Sequence, residues 1–337
     1  MLQDPFSDFL HFMRARSIMS GGLIAGGVWA ISIPAADRIK FWGVLRGSCW
    51  LVVDGEQAPI RVEEGDVFLL SAARTHVLAT DLDAERTDLS DVLKGRSGAI
   101  VRHGEGDDFF MVGGKVELSA EGGHLLLDAL PPLIHIRAAS SQAPVLHWLL
   151  QQLVHERDND LPGAAVASAQ LAHLMFIQIL RAYFEAAGPV AAGWLRAVSD
   201  KRLAPAIRLM HGDPGHPWQL GELAAASAMS RATFAAYFKT VAGVAPVAYL
   251  TQWRMRLAQR ALRENRSSIG ALAHTLGYTS ESAFSNAFKR VTGVSPNSYR
   301  NAPGGDRRAG VEIAGREQEE RKMQSDAKIR GMHSRIR

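Results

Sequence analysis

Among its 337 residues the chain has a single cysteine, Cys49, so it can close no intramolecular disulfide and suits a reducing compartment. One segment superficially resembles a signal peptide or a marginal membrane span, but no clean leader is expected. Ser17 to Ala36 carries no charge and follows Arg14 and Arg16, but Gly21, Gly22, Gly26 and Gly27 dilute it, while Asp4 and Asp8 spoil a basic leader. The stretch reads instead as a buried β-region. With 47% apolar and 21% charged residues the composition is ordinary for a soluble globular protein, and the length accommodates two or three domains.

What is present is one pattern written twice. Ser230, Phe234, Phe238, Lys239, Val241, Gly243, Val244, Pro246 and Tyr249 recur fifty positions later as Ser280, Phe284, Phe288, Lys289, Val291, Gly293, Val294, Pro296 and Tyr299. Upstream, residues 220–224 (Leu-Gly-Glu-Leu-Ala) answer residues 269–273 (Ile-Gly-Ala-Leu-Ala) at an offset of forty-nine, so one residue has been gained or lost in the turn between. Each unit reads as a short helix, a tight turn and a second helix. Gly277 offers the left-handed residue that closes the first helix of the second unit, and Ser230 and Ser280 offer hydroxyls to the free amides of the helices they begin. The phenylalanines, four apart, stack on one face and leave the opposite face polar. Gly243 and Gly293 end these helices, and each is followed three residues on by a proline. From Val247 to about Asn265, Leu250, Trp253, Leu257, Ala261 and Leu262 fall at helical spacing and predict one rigid helix joining the units.

Charge is segregated in the same way. Residues 194–300 hold 14 Lys plus Arg against 5 Asp plus Glu, whereas residues 1–193 hold 15 against 23. The tail 301–337 adds 9 against 6, and a basic field concentrated where the repeat sits is the footprint of a surface that meets phosphates.

Residues 218–224 (Trp-Gln-Leu-Gly-Glu-Leu-Ala) and 229–234 (Met-Ser-Arg-Ala-Thr-Phe), with Gly277-Tyr278, Phe284, residues 288–290 (Phe-Lys-Arg), 293–296 (Gly-Val-Ser-Pro) and Tyr299-Arg300, resemble the DNA-binding domain of AraC/XylS-type transcription regulators over about residues 196–300. The resemblance implies that the second helix of each unit enters the major groove of double-stranded DNA, with the two segments read about one turn apart. It puts the base-reading positions on Arg231, Ala232, Ala235 and Ala236 in the first unit and on Glu281, Ser282, Ser285 and Asn286 in the second. Many relatives carry arginine where this chain has Ala236 or Asn286. Alanine reaches only a thymine methyl, so Arg231 is left as the main discriminator of the first helix, suited to guanine, and Asn286 suits adenine. Ser230, Lys239, Ser280, Lys289 and Arg290 are expected on phosphates.

The first part of the chain reads as strands. Short apolar runs at residues 39–45, 49–53, 59–62 and 66–70 are separated by turn signals at Asp54-Gly55 and Glu64-Gly65, and further runs at 100–101, 109–112 and 115–118 suit a small barrel. Residues 45–51, 64–70, His76 and 127–133 resemble the cupin-like sensor domain of one AraC-type branch, over about residues 5–135. A metal-dependent cupin needs a His-x-His pair, a carboxylate and a third histidine converging on the cation. Here Phe41-Trp42 occupies the first position and only His76 remains, so no metal, cofactor or catalytic residue is expected, and His103 and His124 read as surface or hydrogen-bonded side chains. The barrel is expected to receive a small organic effector, with Trp42, Trp50, Phe68 and His76 as lining candidates and ordinary core as the competing reading of each.

Between about Pro144 and Ala187 the period becomes helical: Val145, Leu146, Leu149, Leu150 and Leu153 form one stripe, and Leu171, Leu174, Met175, Ile177, Ile179 and Leu180 another. So apolar a pair needs a partner, either the barrel or a second subunit; periodicity does not choose, and the resemblance implies a homodimer. Residues 188–193 read as a linker, and the tail from Asn301 as disordered, with a helix around Glu312 to Lys328 as the alternative.

The expected architecture is α+β and multidomain. A cupin-like sensor occupies 1–140, a helical dimerisation pair and linker 141–193, an all-α domain of two helix-turn-helix units joined by a long helix 194–300, and a charged tail 301–337. The function expected is that of a cytoplasmic, ligand-responsive transcription regulator, with RNA polymerase as a further partner and no membrane. A cupin metalloenzyme carrying a DNA-binding domain, and an architectural DNA binder indifferent to ligands, are the alternatives.

Overall fold

The computed structural model describes residues 4–301 except 36–38, 72, 95–99, 120–122, 159–160, 187–192 and 265–266. The tail from 302 and most of the expected linker therefore lie outside the described residues. The chain divides into two compact units, one spanning Phe6–Ser199 and the other beginning at Asp200.

The first unit opens with α1 (Pro5–Met13), β1 (Arg16–Gly26), β2 (Ala30–Ile33), β3 (Ile39–Arg46), β4 (Ser48–Val53), β5 (Ile60–Glu63), β6 (Val67–Leu70), β7 (His76–Ala79) and β8 (Arg86–Asp88). It continues with α2 (Leu89–Leu93), β9 (Ile100–Gly104), β10 (Phe109–Glu117), α3 (Gly123–Ala129), β11 (Leu133–Ile136), α4 (Ala143–Asp158), α5 (Ala164–Ala186) and α6 (Trp194–Ser199). Six strands in the order β11-β6-β3-β10-β1-β9 form one sheet and five in the order β5-β4-β7-β2-β8 the other. Successive side chains on a strand point to opposite faces, so alternation decides what lies between the sheets. On β4, Cys49, Leu51 and Val53 point inward and join Leu23, Val44, Phe68, Leu78 and Met111 in one core. The uncharged stretch after Arg16 is indeed β-structure, as β1 and β2.

One boundary differs from expectation. The runs at 109–112 and 115–118 are one continuous strand, β10, through Gly113-Gly114. These glycines mark close packing rather than a turn: a Cβ on Gly113 would lie 2.2 Å from the Trp42 ring, and one on Gly114 2.5 Å from Phe41.

The helical pair lies on the barrel. Contacts join α4 to β3 and α5 to β1, β10 and β11, and Leu150 sits over Gly43 so closely that a Cβ there would come within 2.3 Å of it. Leu146, Leu149, Leu150, Leu153, Met175, Phe176, Ile179 and Leu180 are fully buried, each worth about 1.5–3 kcal/mol against exposure. α5 is long and apolar enough to cross a membrane, yet its apolar stripe is spent on this packing. The pair's other face keeps Val145, Trp148, Val166 and Leu174 exposed.

The second unit holds α7 (Ala204–Gly212), α8 (Leu220–Ala226), α9 (Arg231–Ala242), α10 (Pro246–Arg263), α11 (Ile269–Thr275), α12 (Glu281–Thr292) and α13 (Pro296–Asn301). The division from the first unit falls after Ser199 rather than at 194, because α6 packs on α3. The repeated aromatics make the same core twice. Phe234 meets Phe238 at 5.5 Å and Phe238 meets Tyr249 edge-on at 5.3 Å; Phe284 meets Phe288 at 5.8 Å and Phe288 meets Tyr299 edge-on at 5.5 Å. α10 serves both cores, burying Tyr249, Leu250 and Trp253 at its start and Met255, Ala258 and Leu262 toward its end, the latter three in the second core.

Candidate nucleic-acid interface and barrel interior

Each outward helix begins on its serine. Ser230 Oγ accepts the Thr233 amide at 3.2 Å and Ser280 Oγ accepts the Ala283 amide at 3.1 Å, while Gly243 (φ 74°) and Gly293 (φ 80°) close the far ends in the left-handed conformation. α8 begins with a capping box, Glu222 accepting the Gln219 amide at 2.7 Å, and α11 begins on Ser268, whose Oγ accepts the Ala271 amide at 3.2 Å. The turns are equivalent but not identical. Gly277 adopts φ 77°, whereas the first unit holds Ala228 at φ 52°, a strained choice for a residue with a Cβ. Tyr278 and Met229 close the same backbone bond in the two units, so the extra residue is Thr279.

The sequence-assigned positions share the exposed side of their helices. Arg231, Ala232, Ala236 and Lys239 on α9, and Glu281, Ser282, Asn286, Lys289 and Arg290 on α12, are exposed; Ala235 and Ser285 are half-buried; Ser230 and Ser280 are exposed at the starts. Arg231 carries one further constraint. Its guanidinium lies across α8, where a Cβ on Gly221 would sit 2.8 Å from Nε. Glu281 approaches Gly270 in the same way, at 3.1 Å.

Several residues absent from the sequence reading position these helices. Arg254 on α10 donates from Nε to the Pro214 carbonyl at 2.5 Å and from Nη2 to the His216 carbonyl at 2.9 Å, and burial lowers its pKa. The loop so held packs its Gly215 carbonyl against Gly277, where a Cβ would be 2.1 Å away. The loop entering the first unit is thereby fastened to the turn of the second. Tyr237 donates to Asp200 at 2.8 Å and lies beneath the Arg202 guanidinium at 4.2 Å. Nothing in local sequence announces these contacts, since the partners are about forty residues apart.

In the barrel, Trp42 and Phe68 face inward from paired positions on β3 and β6, and His76 lies on the inward side of β7 with Leu78. Trp50 is not in that lining: it alternates with the inward Cys49 and Leu51, faces outward, and carries Arg61 over its ring at 5.4 Å. His76 is 3% exposed, and burial pushes its pKa down to about 4. Its Nε2, and Nε1 of Trp42, have no hydrogen-bond partner among the described residues. Lys40 shares the inward parity of Trp42, is close enough to His76 to lower its pKa, and is itself lowered by burial. Its neighbour across the strands, Lys115, pairs with Glu117 at 3.0 Å. The same end thus holds the Lys40 ammonium and two nitrogens aimed inward. Asp66 belongs to the frame: it accepts from His135 Nε2 at 2.7 Å and from the amides of Ala138 at 2.8 Å and Glu63 at 3.2 Å. Among the described residues no three His, Cys, Asp or Glu side chains group as a metal site.

Comparison with known proteins places both units. A family described as Cupin matches residues 4–185, and one described as Helix-turn-helix domain matches residues 223–302. An AraC-like transcription regulator of Streptomyces antibioticus is 41% identical over 300 residues, 89% of this chain and 99% of that protein. The HTH-type transcriptional regulator AlkR of Acinetobacter baylyi is 32% identical over 286 residues, 81% of this chain and 91% of its own. Among solved structures, the DNA-binding domain of the global transcriptional factor AdpA in complex with a target DNA is 31% identical, with a TM-score of 0.28, covering 30% of this chain and 91% of that one. The chain therefore belongs to the AraC-like transcription regulators, with a cupin domain at its N-terminal side and a helix-turn-helix DNA-binding domain at its C-terminal side.

Proposed function

We propose that this regulator reads double-stranded DNA with α9 and α12 in successive major grooves and answers to a small organic ligand held in its barrel. The observation that carries the DNA reading is the duplicated exposed face: the same capped helix, with its aromatic side buried and its polar side outward, occurs twice around one shared helix. On it Arg231, Glu281, Ser282, Ser285 and Asn286 read bases, Ala232, Ala235 and Ala236 meet thymine methyls, and Ser230, Lys239, Ser280, Lys289 and Arg290 hold phosphates. Arg231 leaves its place over Gly221 to do so. Support for the ligand comes from the inward nitrogens of Trp42 and His76 beside Lys40, with Phe68 as an aromatic wall; buried polar atoms of this kind are ordinarily partnered. The ligand acts by preferring one arrangement of the linked units over another. We place the protein in the cytoplasm as a homodimer, with RNA polymerase as its partner at the promoter.

The test is a footprint and affinity series on the target promoter, repeated with the compounds that quench the intrinsic tryptophan fluorescence. Arg231→Ala should weaken the cognate site by about 1–3 kcal/mol and relax one base, and Lys289→Ala should weaken all sequences alike. Unchanged footprints in both variants would reject the assigned faces; promoter affinity indifferent to every quenching compound would reject the sensor.

A further inference from the structure

The nitrogens at the Lys40 end of the barrel differ in what they can bond. β3 carries Lys40 and Trp42 on its inward face, two residues apart and paired with Leu70 and Phe68 of β6, which belong to the barrel core. From the other sheet β7 brings His76, paired with Ile33 of β2 and Val53 of β4 in the same core. Among the described residues no ion pair engages Lys40. Its cross-strand neighbour Lys115 is matched by Glu117 at 3.0 Å, and Glu117 in turn stands across from Arg16, so these four groups leave an excess of positive charge.

The Trp42 indole and the Lys40 ammonium have hydrogens to give and no lone pair to offer. His76 is different. Its Nδ1 lies 3.4 Å from the Arg74 carbonyl oxygen, which can only accept, so this nitrogen carries the hydrogen. Burial first, and the Lys40 charge after it, keep the ring neutral. A neutral imidazole with its hydrogen on Nδ1 presents a lone pair at Nε2. That atom is buried without a partner among the described residues, as is Nε1 of Trp42. A buried polar atom left in this way costs about 1–3 kcal/mol, which is why such atoms are ordinarily matched.

A ligand that satisfies this end brings three things at once: negative charge for Lys40, an acceptor for Trp42 and a donor for His76. A plain carboxylate meets the first two and turns only lone pairs toward Nε2. A neutral diol meets the last two and leaves the ammonium without a counter-charge. We propose that the effector of the barrel is a hydroxy acid, its carboxylate accepting from Lys40 and Trp42, its hydroxyl donating to Nε2 of His76, and the rest of the molecule against Phe68. The inference rests on the barrel being the sensor site and adds to it the functional groups that the effector carries. Loss of the hydroxyl strands the Nε2 lone pair, so the site discriminates against simple acids more strongly than a merely apolar pocket does.

Calorimetric titration of the full chain tests it with two matched series: lactate, propionate and propylene glycol, and their phenyl counterparts mandelate, phenylacetate and styrene glycol. In at least one series the hydroxy acid should bind at least tenfold tighter than both the plain acid and the diol. His76→Phe should erase the preference for the hydroxy acid over the plain acid, and Lys40→Met its preference over the diol. Circular dichroism checks that each variant folds, and the wild-type comparison stands without them. A plain acid binding as tightly as its hydroxy acid in both series would overturn the hydroxyl assignment and leave the sensor in place, and a diol binding as tightly would overturn the carboxylate. No heat from lactate or mandelate at millimolar concentration would overturn the proposal. Whether the barrel is a sensor at all is decided separately, by the response of promoter affinity to the compounds that quench tryptophan fluorescence.

Discussion

His211 shows how much one buried side chain can do to the pH response of the DNA-binding unit. It stacks on Trp253 at 4.0 Å, bonds to the Tyr249 hydroxyl at 3.0 Å, and burial pushes its pKa from near 6.5 to about 3. The folded chain keeps this imidazole neutral where the unfolded chain protonates it. Stability is therefore unaffected above pH 7 and falls as pH drops between about 6.5 and 3, with a slope of up to about 1.4 kcal/mol per pH unit. Urea unfolding of the full chain, followed by tryptophan fluorescence at pH 7.5 and 5, should show a loss that His211→Phe reduces; equal pH dependence in the two proteins would rule this out. Individual residues were legible in unequal measure. Trp42 and His76 follow from strand alternation, and Lys40, two residues from Trp42, carried the same signal. Trp50 misled because an aromatic in a strand says nothing about which sheet face it takes until the inward set is known.

The helices and their ends were the most legible elements, because capping, left-handed closure and apolar spacing are written within a few residues. Thr279 could be placed only in the structure, yet its existence was implied by the change of offset from forty-nine to fifty. The brace was not legible. Arg254 reaches carbonyls of a loop some forty residues earlier, and in sequence it is one of four arginines on a long helix. Arg254→Met removes two charge-assisted bonds, which should lower unfolding stability by about 1.5–3 kcal/mol. It should also loosen the separation of α9 and α12, so that a promoter with one extra base pair between the two segments is discriminated less strongly. An unaltered spacing preference, measured by gel shift on the paired promoters, would leave the rigid helix α10 as the whole of the connection.

Across the molecule, charge and apolar surface are divided by task. The basic excess lies in residues 194–300, the segment that holds the twin helices, and among the described residues an exposed tryptophan, Trp148 at 51%, lies on the outer side of the helical pair with Val145, Val166 and Leu174. The pair's inner stripe is satisfied by the barrel, and this second stripe is the surface on which we place the homodimer. Trp148→Arg should convert a dimer to monomers in sedimentation at micromolar concentration and weaken promoter binding while leaving the thermal unfolding of the barrel in place. A wild-type monomer, or a dimer untouched by Trp148→Arg, would remove the assignment.

Local chemistry sufficed for the duplicated reader, since serine caps, terminal glycines and phenylalanines four apart act within single helices and their turns. It also sufficed for a β-rich first half, because alternation and turn residues need no distant partner to be recognised. Folding in three dimensions was required to show that α4 and α5 cover the barrel, that Gly113-Gly114 makes room for Trp42 and Phe41, and that Arg254 fastens one reader to the other. Each of these joins residues far apart in the chain, and their fit depends on volumes and directions that no nearest-neighbour pattern encodes.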